Sequence, residues 1–422
     1  MKSALVAALA CVAVSLAPAP ACADTLIDNI NGLTLNADGS VQRFGGVLID
    51  DSGRIQQLYR SGEKRPQRVD YRLDGKGQVM MPGLIDSHIE LMRLALTRIA
   101  PPAPGARPRP EDRDQALADI QKLVIERGIT TVIDMGTTIE DWQAYRRAGD
   151  AGTLLMRIIG YAATVDDMVL IAGPKPTPWL YDDHLRLIGL RIAFDGAQPA
   201  AAPARPAGAK PLAARPSARP PEPTIPLKNL LSRAGIDGFQ PAIRVRNPAA
   251  LPALFDSIAE LSQTYKGERR WRLDLGFRPA PDDLARIAAG GMALTLLPSL
   301  PSATDSALPA SGVAVAKVRL AYGSAARGAL PDPFAPLAAA LARDEALAAS
   351  TSDAAWAAFA DGRIGRLAIG QRADFILVDR DPLLASSGEL RAIRVLQTWV
   401  GGRMVYRANT DLAPPRSAAQ DR

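Results

Sequence analysis

Cysteine is missing from almost the whole chain: both copies, Cys11 and Cys22, stand within the first 23 of 422 residues. From Asp24 onward disulfide bonding and thiol chemistry are therefore excluded. Histidine is nearly as scarce, with His88 and His184 the entire supply, so no centre needing more than two imidazoles can form. Aromatic residues make up only 5% of the chain, and the net charge is a small +6. The arginines are dispersed and not interleaved with aromatics, which argues against a nucleic-acid partner. No apolar run beyond the first residues reaches the length of a membrane-crossing helix, so no integral membrane span is expected.

Hydrophobic residues at 47% and charged ones at 22% describe a globular protein. The length suits one large α/β barrel with a small second domain, or two or three ordinary domains. Residues 1–23 read as a secretory signal peptide: Lys2 opens it, Ala4 to Leu16 form the apolar run, and Ala21-Cys22-Ala23 is a small-residue cleavage site. Pro18 and Pro20 interrupt the run, which is too short to span a bilayer comfortably. The expected location is periplasmic or secreted, and the high Ala, Arg and Pro content suits a GC-rich bacterial genome.

Residues 25 to 80 read as short strands separated by turns such as Asn36-Ala37-Asp38-Gly39 and Asp51-Ser52-Gly53. Val79 to Ile85 reads as one buried strand, and the stretch to Ala100 as a helix. Strand and helix then alternate. Strands are expected at Ile129–Asp134, Leu154–Tyr161, Leu187–Phe194, Gln240–Val245, Arg272–Phe277 and Ala293–Leu297; helices are expected at Gln115–Arg127, Ile139–Ala148 and Pro248–Tyr265. Such alternation argues for a parallel sheet or barrel covered by helices. Residues 101–110 and 197–226 break the pattern with Pro/Ala/Arg-rich sequence that cannot bury a core and reads as solvated loop. The chain ends as it began, in short strands, with a hairpin signature at Gly401-Gly402. Residues 24–80 and 362–410 are thus assigned to one small β-sandwich, and 81–361 to the α/β body carrying the 197–226 loop.

Three stretches carry a resemblance. Met81-Pro82-Gly83-Leu84-Ile85-Asp86-Ser87-His88-Ile89-Glu90 is similar to P-G-L-I-D-x-H-x-H; residues Gly365 to Phe375 are similar to G-x-L-x-x-G-x-x-A-D-F; and Thr398 to Tyr406 resemble the closing hairpin of the same family. Together, and in that order, they resemble the metal-dependent amidohydrolase superfamily, most of all its N-substituted formamide deformylase-like branch. The resemblance implies a distorted (β/α)8 TIM barrel with a β-sandwich made from both chain ends. It also implies a site at the carboxyl ends of the barrel strands. There, one or two divalent ions held by an H-x-H pair, often a carbamylated lysine, two more histidines and an aspartate activate water.

Two histidines cannot supply that set of four. His88 matches the first histidine of the pair, while Glu90 stands in place of the second. Arg191 takes the lysine position and keeps its charge, so it cannot become an anionic bridge. Arg244 and Leu275 fall where the remaining histidines are expected, and Ala325 replaces the aspartate of G-S-D. His88 and Glu90 would offer a metal one nitrogen and one carboxylate, a weak pair. A structural histidine is the plainer reading of His88, and His184, after Asp182-Asp183, reads as surface. Arg191 and Arg244, if they face the barrel mouth, would pair with Glu90 and Asp86 or hold an anion in bidentate fashion; otherwise they lean into solvent.

The expectation is a secreted, catalytically inactive amidohydrolase homologue that binds a small ligand, anions among the candidates, or a partner subunit, with no cofactor. The alternative is a metal-dependent hydrolase of carbon–nitrogen (non-peptide) bonds. It would hold zinc or another divalent metal in a reduced mononuclear site of Asp86, His88, Glu90 and Asp195 or Asp274. A third reading is an interaction scaffold contacting partners through the 197–226 loop. A homo-oligomer suits any of the three.

Overall fold

The computed structural model describes residues 24–98, 107–195, 226–297, 318–326, 330–334, 337 and 342–409. The signal-peptide assignment, and the 197–226 loop except for Pro226, lie outside the described residues. Eight strands, labelled in chain order with the rest, form one parallel sheet: β6 (Leu84–Ile89), β7 (Ile129–Thr137), β8 (Arg157–Ala162), β9 (Leu185–Ala193), β10 (Gln240–Val245), β11 (Arg272–Leu275), β12 (Ala293–Leu296) and β13 (Leu320–Tyr322). They follow one another in sequence order around a nearly closed barrel. A second, mixed sheet joins β1 (Thr25–Leu35), β2 (Val41–Ile49), β3 (Ile55–Tyr59), β4 (Tyr71–Asp74) and β5 (Val79–Pro82) to β14 (Phe375–Val378), β15 (Val395–Val400) and β16 (Arg403–Arg407). This is the expected TIM barrel with a β domain drawn from both chain ends.

Alternation along each barrel strand sorts the side chains. Val132, Ile158, Leu187, Ile243, Leu273 and Leu294 point outward into the core shared with the helices. Beside β7, the helix Pro110–Ile125 buries Ala116, Leu117, Ile120, Gln121, Val124 and Ile125, a stripe at helical spacing. Ile85, Ile133, Ile159, Ile188, Ala242, Ala293 and Ala321 point inward and pack on Ala354, Ala355 and Ala358. The latter follow the carbonyl of Ser350, which accepts from Ile85 N at 2.8 Å and so seals the amino-terminal end of the barrel. In the mixed sheet, Ile27, Phe44, Val47, Met80, Leu377 and Trp399 share one core, and Phe375 stacks on Trp399 at 5.2 Å.

The run read as one strand from Val79 to Ile85 is two. β5 pairs antiparallel with β14, and the chain then passes at Gly83 into β6 of the barrel. Gly83 N donates to Asp374 O at 3.0 Å, and a Cβ on Gly83 would lie 2.2 Å from Thr130 Oγ1. Only glycine permits this crossing between sheets.

The two sheets are locked by a buried ion pair. Arg157 opens β8, and its Nε and Nη2 bind the two oxygens of Asp374 at 2.6 and 2.8 Å. Its Nη1 donates to the carbonyls of Asp182 and Asp183 at 2.9 and 2.8 Å. Gly401 N adds a bond of 2.7 Å to Asp374 Oδ1. Beside it Asp183 binds Arg372 at 2.8 Å and Arg363 at 3.0 Å. Burial would raise the Asp183 carboxyl, but the Arg372 hydrogen bond and the neighbouring arginine charges hold it below the usual carboxylate range. His184 is not a surface residue as expected. It is half-buried in this junction, Nδ1 lies 2.7 Å from Tyr181 O, and burial followed by the Arg157 charge lowers its pKa. Polar sequence around it reads as exposed, but Asp183 finds partners on the other domain and takes the segment into the junction.

Replacing Arg157 by Met leaves Asp374 buried without its countercharge and should cost about 3–5 kcal/mol. Equilibrium urea unfolding of Arg157→Met and of Arg157→Met/Asp374→Leu checks this; the double variant is expected to be the more stable of the two.

Candidate functional site

The carboxyl end of β6 is out of step with β7. Asp86 faces Val132 and Ile89 faces Asp134, three steps on one strand against two on the other. A bulge of this kind re-aims side chains, and it falls on Ser87 and His88. From the other side, a Cβ on Gly323 would lie 2.4 Å from the His88 Cβ, so the chain after β13 passes directly against His88. Ala325 N then donates to His88 O at 2.7 Å, which closes β13 onto β6.

His88 is 1% exposed, and its Nδ1 lies 2.6 Å from Asp274 Oδ2. The other oxygen, Asp274 Oδ1, accepts from Arg272 Nε at 3.0 Å. Burial would raise the Asp274 carboxyl, but the charge of Arg272 and the contact with His88 hold it well below the ordinary carboxylate range. An ionised carboxylate only accepts, so Nδ1 of His88 carries the proton and donates it. Arg272 also donates from Nη2 to Ser87 O, and its Cζ lies 5.6 Å from the Tyr161 ring centre. Tyr161 bonds Gln240 Oε1, and burial pushes its hydroxyl up to about 12. Gln240 Nε2 reaches Ala357 O at 2.9 Å. A continuous polar spine therefore runs up the inside of the barrel and ends at His88. Along it, His88 Nε2, Arg272 Nη1 and the hydroxyls of Ser87, Thr131 and Thr295 are buried without a hydrogen-bond partner among the described residues.

Above the spine, Glu90 Oε2 accepts from Arg93 at 2.9 Å. Its Oε1 lies 3.5 Å from Arg191 Nη1, and Arg191 is one-third exposed. Arg244 is buried, opposite Asp274 in the β10–β11 register. Both arginines thus stand at the barrel mouth rather than out in solvent. The expected Arg191–Glu90 pairing is present. Among the described residues Asp86 pairs with no arginine; it accepts from Ser324 N at 2.9 Å, from Ser324 Oγ at 2.5 Å and from His88 N at 3.1 Å, and burial raises its carboxyl. Asp195 is drawn to Arg246, 2.9 Å from both its N and its Nε, while Asp274 joins His88. Leu275 does not face the mouth: it is buried in the outer core, and Asp274 is the residue of β11 that looks inward. The pattern Arg272-Leu273-Asp274-Leu275 already contained this, since alternation puts both charges on one face.

Asp134, on β7, was not singled out from the sequence. It caps the helix that begins right after Glu90, accepting from Leu91 N at 2.8 Å, and also takes bonds from Thr137 Oγ1 at 2.7 Å and Tyr145 Oη at 3.0 Å. Burial, with the nearby Asp141 charge, raises its carboxyl to about 6.

The amidohydrolase family pattern matches residues 107–406. The chain belongs to the amidohydrolase family. Locally it is 31% identical over 157 residues to the N-substituted formamide deformylase of Arthrobacter pascens, across 37% of this chain and 26% of that protein. It is 39% identical over 69 residues to the imidazolonepropionase of Stenotrophomonas maltophilia, across 16% of this chain and 17% of that protein. The chain thus spans about a quarter or less of these relatives' lengths. Its fold is similar to an uncharacterized metal-dependent hydrolase from Pyrococcus furiosus, with a TM-score of 0.65, 15% identity and coverage of 85% of this chain and 100% of that one.

The family implies a divalent ion, and His88 Nε2 suits one ligand. The rest of this amidohydrolase-family site does not fit: Asp274 is held by Arg272, and Glu90 by Arg93 and Arg191. Among the described residues no three His, Cys, Asp or Glu gather closely enough to hold a metal.

Because the folded chain favours the neutral Asp134 carboxyl, the stability it gives is full below about pH 4 and is lost as the pH rises through about 6. Asp134→Asn should flatten that part of the curve of Tm against pH, measured by scanning calorimetry from pH 4 to 8.

Proposed function

We propose that this protein is a secreted, non-hydrolytic member of the amidohydrolase family that binds a small anionic ligand at the mouth of its barrel. One observation carries the reading: the polar spine presents buried donors, foremost Arg272 Nη1, with no acceptor among the described residues. Buried donors are ordinarily satisfied, and a ligand rich in acceptors satisfies them best. Arg191 and Arg244 at the mouth add positive charge above these donors, with the forked geometry that suits a carboxylate or similar oxyanion. The leader from Lys2 to Ala23 supports export. Here the family's scaffold serves recognition, since fold alone does not carry chemistry.

A second reading is favoured by one atom. His88 Nε2 is buried without a hydrogen-bond partner among the described residues, and the relatives matched locally bear enzyme names. A single ion on His88, with Asp274 or Glu90 released from arginine, would then support hydrolysis of a carbon–nitrogen bond.

Thermal shift of the chain from Asp24 onward, in formate, acetate, bicarbonate and phosphate at ionic strength matched with chloride, separates the two. A rise in Tm with one of these anions is expected, lost in Arg191→Ala/Arg244→Ala, because a ligand that binds only the folded state stabilises it. Zinc-dependent turnover of a formamide or a cyclic amide, abolished by His88→Ala, would sink the proposal.

A further inference from the structure

The centre of this barrel is organised around a guanidinium. Arg272 is fully buried at the first residue of β11. The register places Ala242 on one side of it and Ala293 on the other, both small enough to leave it room. Three elements hold the group: Asp274 on its own strand at 3.0 Å, the Ser87 carbonyl on β6, and the Tyr161 ring on β8. A buried arginine is costly unless its partners are well placed, so this set of contacts is a built feature rather than a stray charge. Asp274 passes the order on by gripping His88 at 2.6 Å. A divalent ion arriving at His88 would meet the fixed charge of Arg272 just across Asp274, and like charges at short range in a buried site repel strongly.

We propose that Arg272 is the resident cation of this barrel. It takes the charge-compensating place that a divalent ion would have, and its removal opens a metal site on Asp274 and His88. The inference rests on the non-hydrolytic reading of the same site.

The test uses the chain from Asp24 onward, treated with chelator and then titrated with zinc chloride, with Tm and bound zinc as readouts. Wild type is expected to retain no stoichiometric zinc and to show no shift in Tm. Arg272→Met is expected to melt lower without zinc and to gain several degrees with it. His88→Ala in the Arg272→Met background should abolish that gain. The inference is overturned if Arg272→Met ignores zinc, or if wild type responds as strongly as Arg272→Met. Should Arg272→Met not fold, the imidazole 15N spectrum of wild type decides instead. It holds two histidines, and His184→Gln assigns them. A His88 signal protonated at Nδ1 and unchanged by zinc supports the inference, and a zinc-induced shift at Nε2 overturns it. Indifference of Arg272→Met in a protein whose wild type is inert fails the inference alone, whereas zinc-dependent turnover by wild type fails the functional reading.

Discussion

The buried pair between Arg157 and Asp374 holds the two halves of this protein in register, and most of what lies above depends on it. Arg157 begins β8, so whatever fixes its guanidinium fixes the lower edge of the barrel. Asp374 sits just before β14 and receives bonds from Arg157 and from Gly401 at the final hairpin. One residue thereby joins three places: its carboxylate holds the barrel and the β15–β16 hairpin, and its backbone carbonyl holds the crossing at Gly83. A pair with no solvent exposure on the arginine and almost none on the aspartate is worth keeping only when every donor is used, and here Nε, Nη1 and Nη2 all are. The Ala-Asp-Phe motif thus has a structural meaning here. Its aspartate anchors a domain junction, and its phenylalanine stacks in the adjoining core.

The same device recurs higher in the barrel. Arg272 does for Asp274 what Arg157 does for Asp374: it makes a buried carboxylate tolerable, and the carboxylate then orients a third group. In the lower case that group is backbone; in the upper case it is His88. The difference matters because backbone amides are spent by such contacts, whereas an imidazole keeps a second nitrogen directed away from the first. The bulge at Ser87–His88 and the close passage of Gly323 set where that nitrogen lies. Acidic groups around it are each matched by arginine or by hydrogen bonds from Ser324, so the mouth presents cationic forks more than metal-collecting carboxylates.

How much of this was legible beforehand varied by element. Gln240–Val245 is legible with its observed bounds because Gly238 before it and Asn247-Pro248 after it mark turns on either side. Val79–Ile85 reads as continuous because its apolar texture does not change where the chain leaves one sheet for another. Arg191 and Arg244 are singled out by their places in the family motif, but whether they face the mouth or solvent stays open in the sequence, and only the closed barrel turns them toward the mouth. Leu275 was misplaced by one residue, and with side chains alternating in and out, one residue is the difference between lumen and outer core. Asp134 and Asp183 gave no signal, since a single carboxylate near a strand end looks the same whether it caps a helix, binds arginine or meets water.

By itself the sequence determined the class of fold, through the spacing of apolar runs, and the limits of the chemistry, through two histidines and no cysteine after residue 22. Those are properties of composition and period, and they survive any arrangement of the chain. Only the tertiary structure decided which charges meet. Arg157 and Asp374 lie 217 positions apart, and His88 and Asp274 lie 186 apart. Pairings at such distances are set by strand register, bulges and crossing points, none of which local sequence encodes. The strength of each pair is set by burial, which exists only once the barrel has closed.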